Sequence, residues 1–343
     1  MSTPPEARYW QPEDGGSVRC SLCPHACRIA PGARGRCGVR ENRAGRLLAL
    51  SYGRCVAAHL DPIEKKPLFH LLPGSRSLSV AAAGCNLRCQ HCQNYTISQL
   101  PRDLASGQEL PGEDLPPAEV VAAAVRAGAA SISFTYTEPS VFWEWCQDIA
   151  ALAVERGLRT VAVTNGFLSA RPLEDLGARL SAANVDLKAF RDGFYRHTCG
   201  ARLQPVLDTI QRLRALGVWV EVTTLLIPGL NDGDGELAEL AAWLASVDRA
   251  MPWHVSAFHP DFELRGLPPT PPESLARARA LGLEAGLRFV YSGNAWGDDG
   301  EHTRCPACQA MLVRRHGFRV LEDRLGARGA CPDCGERIEG LWA

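Results

Sequence analysis

Between residues 77 and 293 short apolar runs alternate with amphipathic stretches. The apolar runs predict strands at 77–82, 131–135, 160–164, 184–187, 219–226, 253–258 and 289–292. Helical spacing predicts helices at 117–127, 139–156, 171–181, 205–216, 236–246 and 272–285. Pro139 stands at a first turn, and Gly128, Gly157, Gly217 and Gly286 lie just past helix ends. Repeated strand–helix units imply an α/β fold with a parallel sheet, curled into a partial or full (β/α) barrel over residues 76–300. Ahead of it, 46–51 and 56–60 read as short strands, while 61–70 has neither period and reads as a loop. Its Lys65 and Lys66, beside acids, suit a solvated turn as well as a functional site.

Polar residues interrupt the pattern just after successive strands: Thr137-Glu138-Pro139, Thr164-Asn165-Gly166, Asp186 with Lys188, Pro228-Gly229, His259-Pro260 and Gly293-Asn294. In a β/α barrel the carboxyl ends of all strands open on one face, so these groups would share one mouth. Turn and cap chemistry explains Thr164-Asn165-Gly166 or Gly293-Asn294 taken singly. It does not explain the set.

The run at 77–82 leads through Gly84 into Cys85-x3-Cys89-x2-Cys92, a loop tight enough for its sulfurs to converge. Structural zinc takes four protein ligands, and the only local fourth, His91, is adjacent to Cys92 and poorly placed to reach the same ion. A [4Fe-4S] cluster suits three thiolates, with one iron left without a protein ligand. Cys20, Cys23, Cys27 and Cys37 lie in a Pro- and Gly-punctuated segment, within a Cys-rich front at 1–75, that needs a staple. They suit four-cysteine zinc or a second iron–sulfur cluster, and His25 could replace one ligand. Cys305, Cys308, Cys331 and Cys334 bracket a hairpin at 311–315 and 318–321, the plan of a zinc ribbon at 301–343, with rubredoxin-like iron the next choice. The hairpin's Arg314, Arg315 and Arg319 read as a solvated face. Of the remaining cysteines, Cys146 reads as core, and Cys199 falls near the mouth.

Composition narrows the class. Of 343 residues 46% are hydrophobic and 22% charged, and Lys+Arg 37 against Asp+Glu 38 leaves a net charge of -1. No overall field draws the chain to nucleic acid or an anionic membrane. No apolar run approaches a membrane span, and residues 1–16 lack the plan of a secretory signal. The 14 cysteines fall mostly in knots, which suits metal in a reducing compartment, and a cytoplasmic location is expected.

The Cys85-x3-Cys89-x2-Cys92 loop, with His91 before its last cysteine, resembles the signature of the radical SAM superfamily. Together with the cysteines of 20–42, the 61–70 run, the strand-exit residues and the terminal knuckles, it resembles the pyruvate formate-lyase activating type. More closely it is similar to AmmeMemoRadiSam-system members. The resemblance implies that Cys85, Cys89 and Cys92 ligate the cluster and that S-adenosylmethionine chelates the free iron. It implies reductive cleavage to a 5'-deoxyadenosyl radical that abstracts hydrogen. Thr137-Glu138 would grip the amine, with Tyr136 and Thr137 where the family carries glycines. Asp186 and Lys188 would address the ribose and carboxylate, Asn165 would join the cofactor contacts, His259 and Asn294 would line the adenosyl end, and His91 would lie near the adenine. A reductant such as flavodoxin or ferredoxin is implied, and a protein substrate, with Amme-type or Memo-type proteins as candidates. A glycyl-radical enzyme activase and a non-catalytic zinc scaffold are the competing readings.

Overall fold

The structure is a computed structural model that describes residues 4–105, 107–295 and 299–343. Met1 to Thr3, within the stretch read for a signal, and Asp298, near the end of the 76–300 span, lie outside the described residues. The main sheet contains β1 (Arg54–Pro62), β2 (Arg76–Ala82), β3 (Glu113–Asp114), β4 (Ser131–Phe134), β5 (Arg159–Thr164), β6 (Ala182–Asp186), β7 (Trp219–Leu226), β8 (Trp253–Ala257) and β9 (Val290–Gly293). Its order is β9-β8-β7-β6-β5-β4-β2-β1-β3, parallel from β2 to β9, with β1 antiparallel to both neighbours. Among the described residues no ladder joins β9 to β3, so the sheet there is an open, partial barrel.

Six helices connect the parallel strands: α1 (Pro117–Arg126), α2 (Trp143–Glu155), α3 (Ala170–Gly177), α4 (Gln204–Ala215), α5 (Asp234–Val247) and α6 (Pro272–Glu284). Strands β4 and β8 are buried at every position, as a sheet covered on both faces requires. The predicted helix at 139–156 begins instead with a 3-10 turn, Pro139–Phe142, and becomes α-helical only at Trp143. The Cys-rich front forms a small sheet of Trp10–Pro12, Val18–Cys20 and Arg28–Ile29, and a hairpin of Arg40–Arg43 with Arg46–Ala49. Val18, Ile29, Val39 and Leu47 are buried in the same core as Val80, Phe134 and Val185 of the barrel strands.

The stretch at 61–70 is not a solvated loop. Strand β1 continues through Asp61 and Pro62, because its partner residues Ser77 and Arg76 extend the ladder that far. Lys66 is 1% exposed, its Nζ 2.7 Å from Asp61 Oδ2, and the Tyr136 hydroxyl donates to the same oxygen. Although burial opposes it, hydrogen bonds from Lys66, Tyr136 and Lys65 hold the Asp61 carboxyl well below its ordinary value.

The terminal module closes the amino end of the barrel. Its strands Thr303–Arg304, Met311–His316 and Arg319–Asp323 form a separate antiparallel sheet. Leu312, Val313 and Ile338 share a small core with Phe69, Phe289 and Tyr291. Leu341 packs with Leu71 beside Ala182 and Trp219, the first residues of β6 and β7. Arg315, expected on a solvated face, is 1% exposed. Its guanidinium donates to Phe69 O (2.9 Å) and Thr303 Oγ1 (2.8 Å), and lies over the Phe69 ring. An alternating strand points one face inward, and Arg315 is on that face.

His70 locks this end. Its Nδ1 is 2.6 Å from Glu339 O and must donate, so Nε2 accepts from the Tyr291 hydroxyl at 2.7 Å. Burial lowers its pKa from 6.5 to about 4, against the pull of Glu221. The unfolded chain therefore binds a proton that the folded one refuses between those values. Stability is present above about pH 6.5 and declines as pH falls toward 4, by about 3 kcal/mol for this group. Urea midpoints measured across that range should show the slope, and His70→Gln should flatten it.

Candidate active site

Strand β2 delivers the three-cysteine loop to the carboxyl-end face. Gly84 makes the turn at φ 113, where a Cβ would lie 2.6 Å from Val39 Cγ1, so glycine is required there. Arg102 Nη2 donates to Cys85 O and Leu87 O at 2.8 Å each, while its Nε donates to Arg36 O at 2.8 Å. Arg88 N and Gln90 N donate to Cys199 O (2.8 Å) and Thr198 O (3.0 Å), on the turn of π-helix Tyr195–Cys199. The loop is thus fixed on two sides before any ligand binds.

All three thiols are shifted upward. For Cys85 burial leads, with the Glu138 charge next; for Cys92 burial leads; for Cys89 the contact with the Cys199 thiol comes first and burial second. Such thiols need a cation to become thiolates. Among the described residues, only Cys305, Cys308, Cys331 and Cys334 bring three or more donor atoms within 4.8 Å of one another. A tetrahedral zinc with bonds of about 2.3 Å sets its sulfurs about 3.8 Å apart. Cys305–Cys334 at 3.6 Å and Cys308–Cys331 at 3.7 Å meet that spacing. The three sulfurs of the Cys85 loop are not among the groups that meet it.

Glu138 is buried and its carboxylate takes three hydrogen bonds: from Ser140 N (2.9 Å), Thr164 Oγ1 (2.8 Å) and Asn165 N (2.7 Å). A carboxylate has about four acceptor sites, and the Ser140 side chain also bears on this one, so the protein itself holds the Glu138 charge firmly. Burial pushes its pKa up. Thr137 Oγ1 donates to Ala82 O at 2.6 Å, tying this turn to the end of β2. Tyr136 has φ 64, a glycine-like conformation held by a non-glycine residue. Its ring is fixed by Asp61 and by Lys66 Nζ, 4.6 Å from the ring centre.

Asn165 Nδ2 lies 2.9 Å from Asn86 Oδ1 and 3.6 Å from Cys85 Sγ, so it braces a cluster-loop sulfur. Lys188 Nζ pairs with Asp186 Oδ2 at 3.1 Å. Burial works against the Lys188 charge, but Asp186 and then the Cys89 and Cys199 thiols raise its pKa well above the ordinary value. His91 is 5% exposed, with its pKa lowered to about 3 by burial first and by Lys188 second, and its Nδ1 has no hydrogen-bond partner. His259 and Asn294 meet each other across the exposed ends of β8 and β9, at 3.4 Å from Nε2 to Asn294 O. No contact joins that pair to the loop among the described residues.

Residues 80–241 match the family described as the Radical SAM superfamily. The chain belongs to the radical SAM superfamily. An uncharacterised protein of Methanocaldococcus jannaschii is 43% identical over 97% of this chain and 98% of its own length. A GTP 3',8-cyclase of Stenotrophomonas maltophilia is 31% identical, with 47% of each chain covered. A pyruvate formate-lyase-activating enzyme of Streptococcus mutans is 22% identical over 61% of this chain and 85% of its own. Radical SAM membership implies a [4Fe-4S] cluster and S-adenosylmethionine. The donor set fits both: one loop carries three thiols, of which Cys89 is buried and Cys85 and Cys92 partly so, and a buried His91 nitrogen without a hydrogen-bond partner. No helix of the described residues is long and apolar enough to cross a membrane.

Two residues of the site carried no signal in the sequence. Asn86 donates to Phe167 O (2.7 Å) and Ser140 Oγ (3.2 Å) and accepts from Asn165, making it the keystone under Cys85. Arg102 is remote from the motif and holds it through carbonyls, which any basic residue in a Pro-rich loop could have done. His25, considered as a metal ligand, instead places Nε2 2.8 Å from Asn86 O, so that nitrogen donates and is spent.

Proposed function

We propose that this protein reductively cleaves S-adenosylmethionine at a [4Fe-4S] cluster on Cys85, Cys89 and Cys92 and abstracts hydrogen from a protein substrate. The single observation that carries this reading is the three-thiol loop joined through Asn165, whose Nδ2 lies 3.6 Å from Cys85 Sγ, to the buried Glu138 carboxylate that Asn165 N reaches at 2.7 Å. When bound, the cluster and S-adenosylmethionine supply a 5'-deoxyadenosyl radical. Lys188 would bind the carboxylate of the methionine end, and the Glu138 charge the amine, by charge-assisted interactions. Asp186 would take a ribose hydroxyl, with Asn165 bracing Cys85 alongside; His91 would face the adenine, and His259 with Asn294 the outer adenosyl end. Fixed placement sets the geometry of the reaction, and the buried walls exclude water from the radical. A low-potential donor of the flavodoxin or ferredoxin kind would supply the electron.

A protein substrate, Amme-type or Memo-type chains among the candidates, is favoured by an open sheet whose carboxyl-end face is left free by the terminal module. The activating-enzyme reading is supported by the Streptococcus mutans relative, whose name says it activates pyruvate formate-lyase. Purified, anaerobically reconstituted protein should release 5'-deoxyadenosine when given S-adenosylmethionine and a strong reductant. Reconstituted protein with a full iron count and no release would overturn the proposal.

The amine grip gives a sharper check. Tyr136 holds φ 64, so the backbone path of a glycine persists without one. Tyr136→Gly should keep S-adenosylmethionine affinity within about threefold, whereas Tyr136→Val, which is β-branched and resists φ > 0, should weaken it about tenfold or more. Equilibrium dialysis with labelled S-adenosylmethionine measures both.

A further inference from the structure

The four cysteines of the front segment are used by nothing so far described. Cys20, Cys23, Cys27 and Cys37 all line one cavity, whose apolar lining includes Leu22, Ile29 and Val141. The charges of Cys20, Cys37 and Cys27 bear on Cys23, and all four residues border the same space. Yet no three of them reach the 4.8 Å mutual spacing met by the terminal four. Sulfurs that surround a space without closing to the separation of a single zinc fit a body with several metal ions inside it.

A second feature points into the same space. Arg40 lines the cavity, is 1% exposed and has an Nε–H without a hydrogen-bond partner, while its Nη2 is held by both Glu144 oxygens at 2.7 Å. A buried unpaired donor is costly unless something accepts from it. The sulfur of a cluster or of its thiolate ligands would.

We propose that Cys20, Cys23, Cys27 and Cys37 hold a second [4Fe-4S] cluster, to which the Arg40 Nε–H donates a hydrogen bond. With four thiolates every iron has a protein ligand, so this cluster has no corner for S-adenosylmethionine and serves as a one-electron carrier. It lies against the first site. Asn86, next to Cys85, lines the cavity, accepts from His25 on one side and is bonded to Asn165 on the other. The cluster deepens the proposed function, and its electrons would have one residue's thickness to cross.

The test uses the full chain, reconstituted anaerobically with iron and sulfide. Wild type should carry about eight irons and eight sulfides, with zinc only at the terminal module. The Cys85→Ala/Cys89→Ala/Cys92→Ala variant should keep about four irons, all lost from the front when Cys20, Cys23, Cys27 and Cys37 are also replaced. About four irons and two zincs in wild type, with no iron left in the loop variant, would overturn the second cluster while leaving the proposed function standing. A loop variant that loses no iron would sink the proposed function and spare the cluster. Because replacing four buried cysteines can prevent folding, a milder variant accompanies them. Arg40→Lys keeps the charge at Glu144 and removes the Nε–H, so one of two reduced-cluster electron paramagnetic resonance signals should move to a lower midpoint potential and the other stay. Movement of neither signal would overturn the hydrogen bond. Reduced wild type should also show spin coupling absent from the loop variant, and a spectrum that is the plain sum of two isolated signals would overturn the adjacency.

Discussion

Cys89→Ala should lower 5'-deoxyadenosine formation by at least about a thousandfold, roughly 4 kcal/mol of activation free energy, while Cys199→Ala stays within about threefold of wild type. The pair is chosen because both thiols are buried and in contact, Cys199 being the foremost cause of the upward shift of Cys89. Only one of them stands in the loop that Arg102 and Gly84 shape. Cys199 contributes to that loop mainly through its carbonyl, which accepts from Arg88 N at 2.8 Å and survives replacement of the side chain. A cluster held by three thiolates has no reserve, so losing Cys89 costs the metal itself. Chromatographic assay of 5'-deoxyadenosine beside an iron count separates the outcomes. Equal loss of iron from both variants would make Cys199 a fourth ligand, and the site for S-adenosylmethionine would be gone.

That contest between two neighbouring thiols could not be seen in the sequence, where 110 positions separate them only as text and the π-helical turn has no pattern. What was legible followed from regular periods. The buried run 219–226 coincides with β7, and Pro272 with Gly286 bracket α6 because those residues act through local backbone geometry. The placement of the three-cysteine motif and of Glu138, Asn165, Asp186 and Lys188 at strand ends was legible for the same reason, a repeated unit that brings those ends to one face. Illegible parts depend on pairing at a distance. Asp61, Glu64, Lys66 and Arg315 look solvated, yet Lys66 is matched by Asp61 and Arg315 sits 3.8 Å from Glu64, inside the protein. A charge run carries no mark of whether its partner is water or a residue far along the chain. The short strands of the front segment are likewise too brief for a period, and Val18, Ile29 and Val39 are buried only because the barrel lies beneath them.

Stripping metal from Cys305, Cys308, Cys331 and Cys334 should unfold the terminal module, expose the segment between them to protease and lower the melting temperature by about 10 °C or more. The module's own buried set is small: Leu312, Val313, Leu325 and Ile338 beside two of its cysteines, with Phe69, Phe289 and Tyr291 borrowed from the barrel. A structural zinc contributes about 10–16 kcal/mol of apparent binding free energy in such units, more than this apolar contact can replace. Its loss would propagate. Arg315 would leave Phe69 O and Glu64, and His70 would lose Glu339 O, so the amino end of the barrel would stand open around the buried Glu221–His254 pair at 2.7 Å. The Cys85 loop lies at the other ends of the strands and is braced by Arg102, Asn86 and Asn165 rather than by the module. Its iron absorbance should therefore persist after a zinc-selective chelator has made the 305–334 segment cleavable. A chelated protein that keeps both its melting temperature and its resistance to protease would show that packing alone holds the module, and that its four cysteines need no metal.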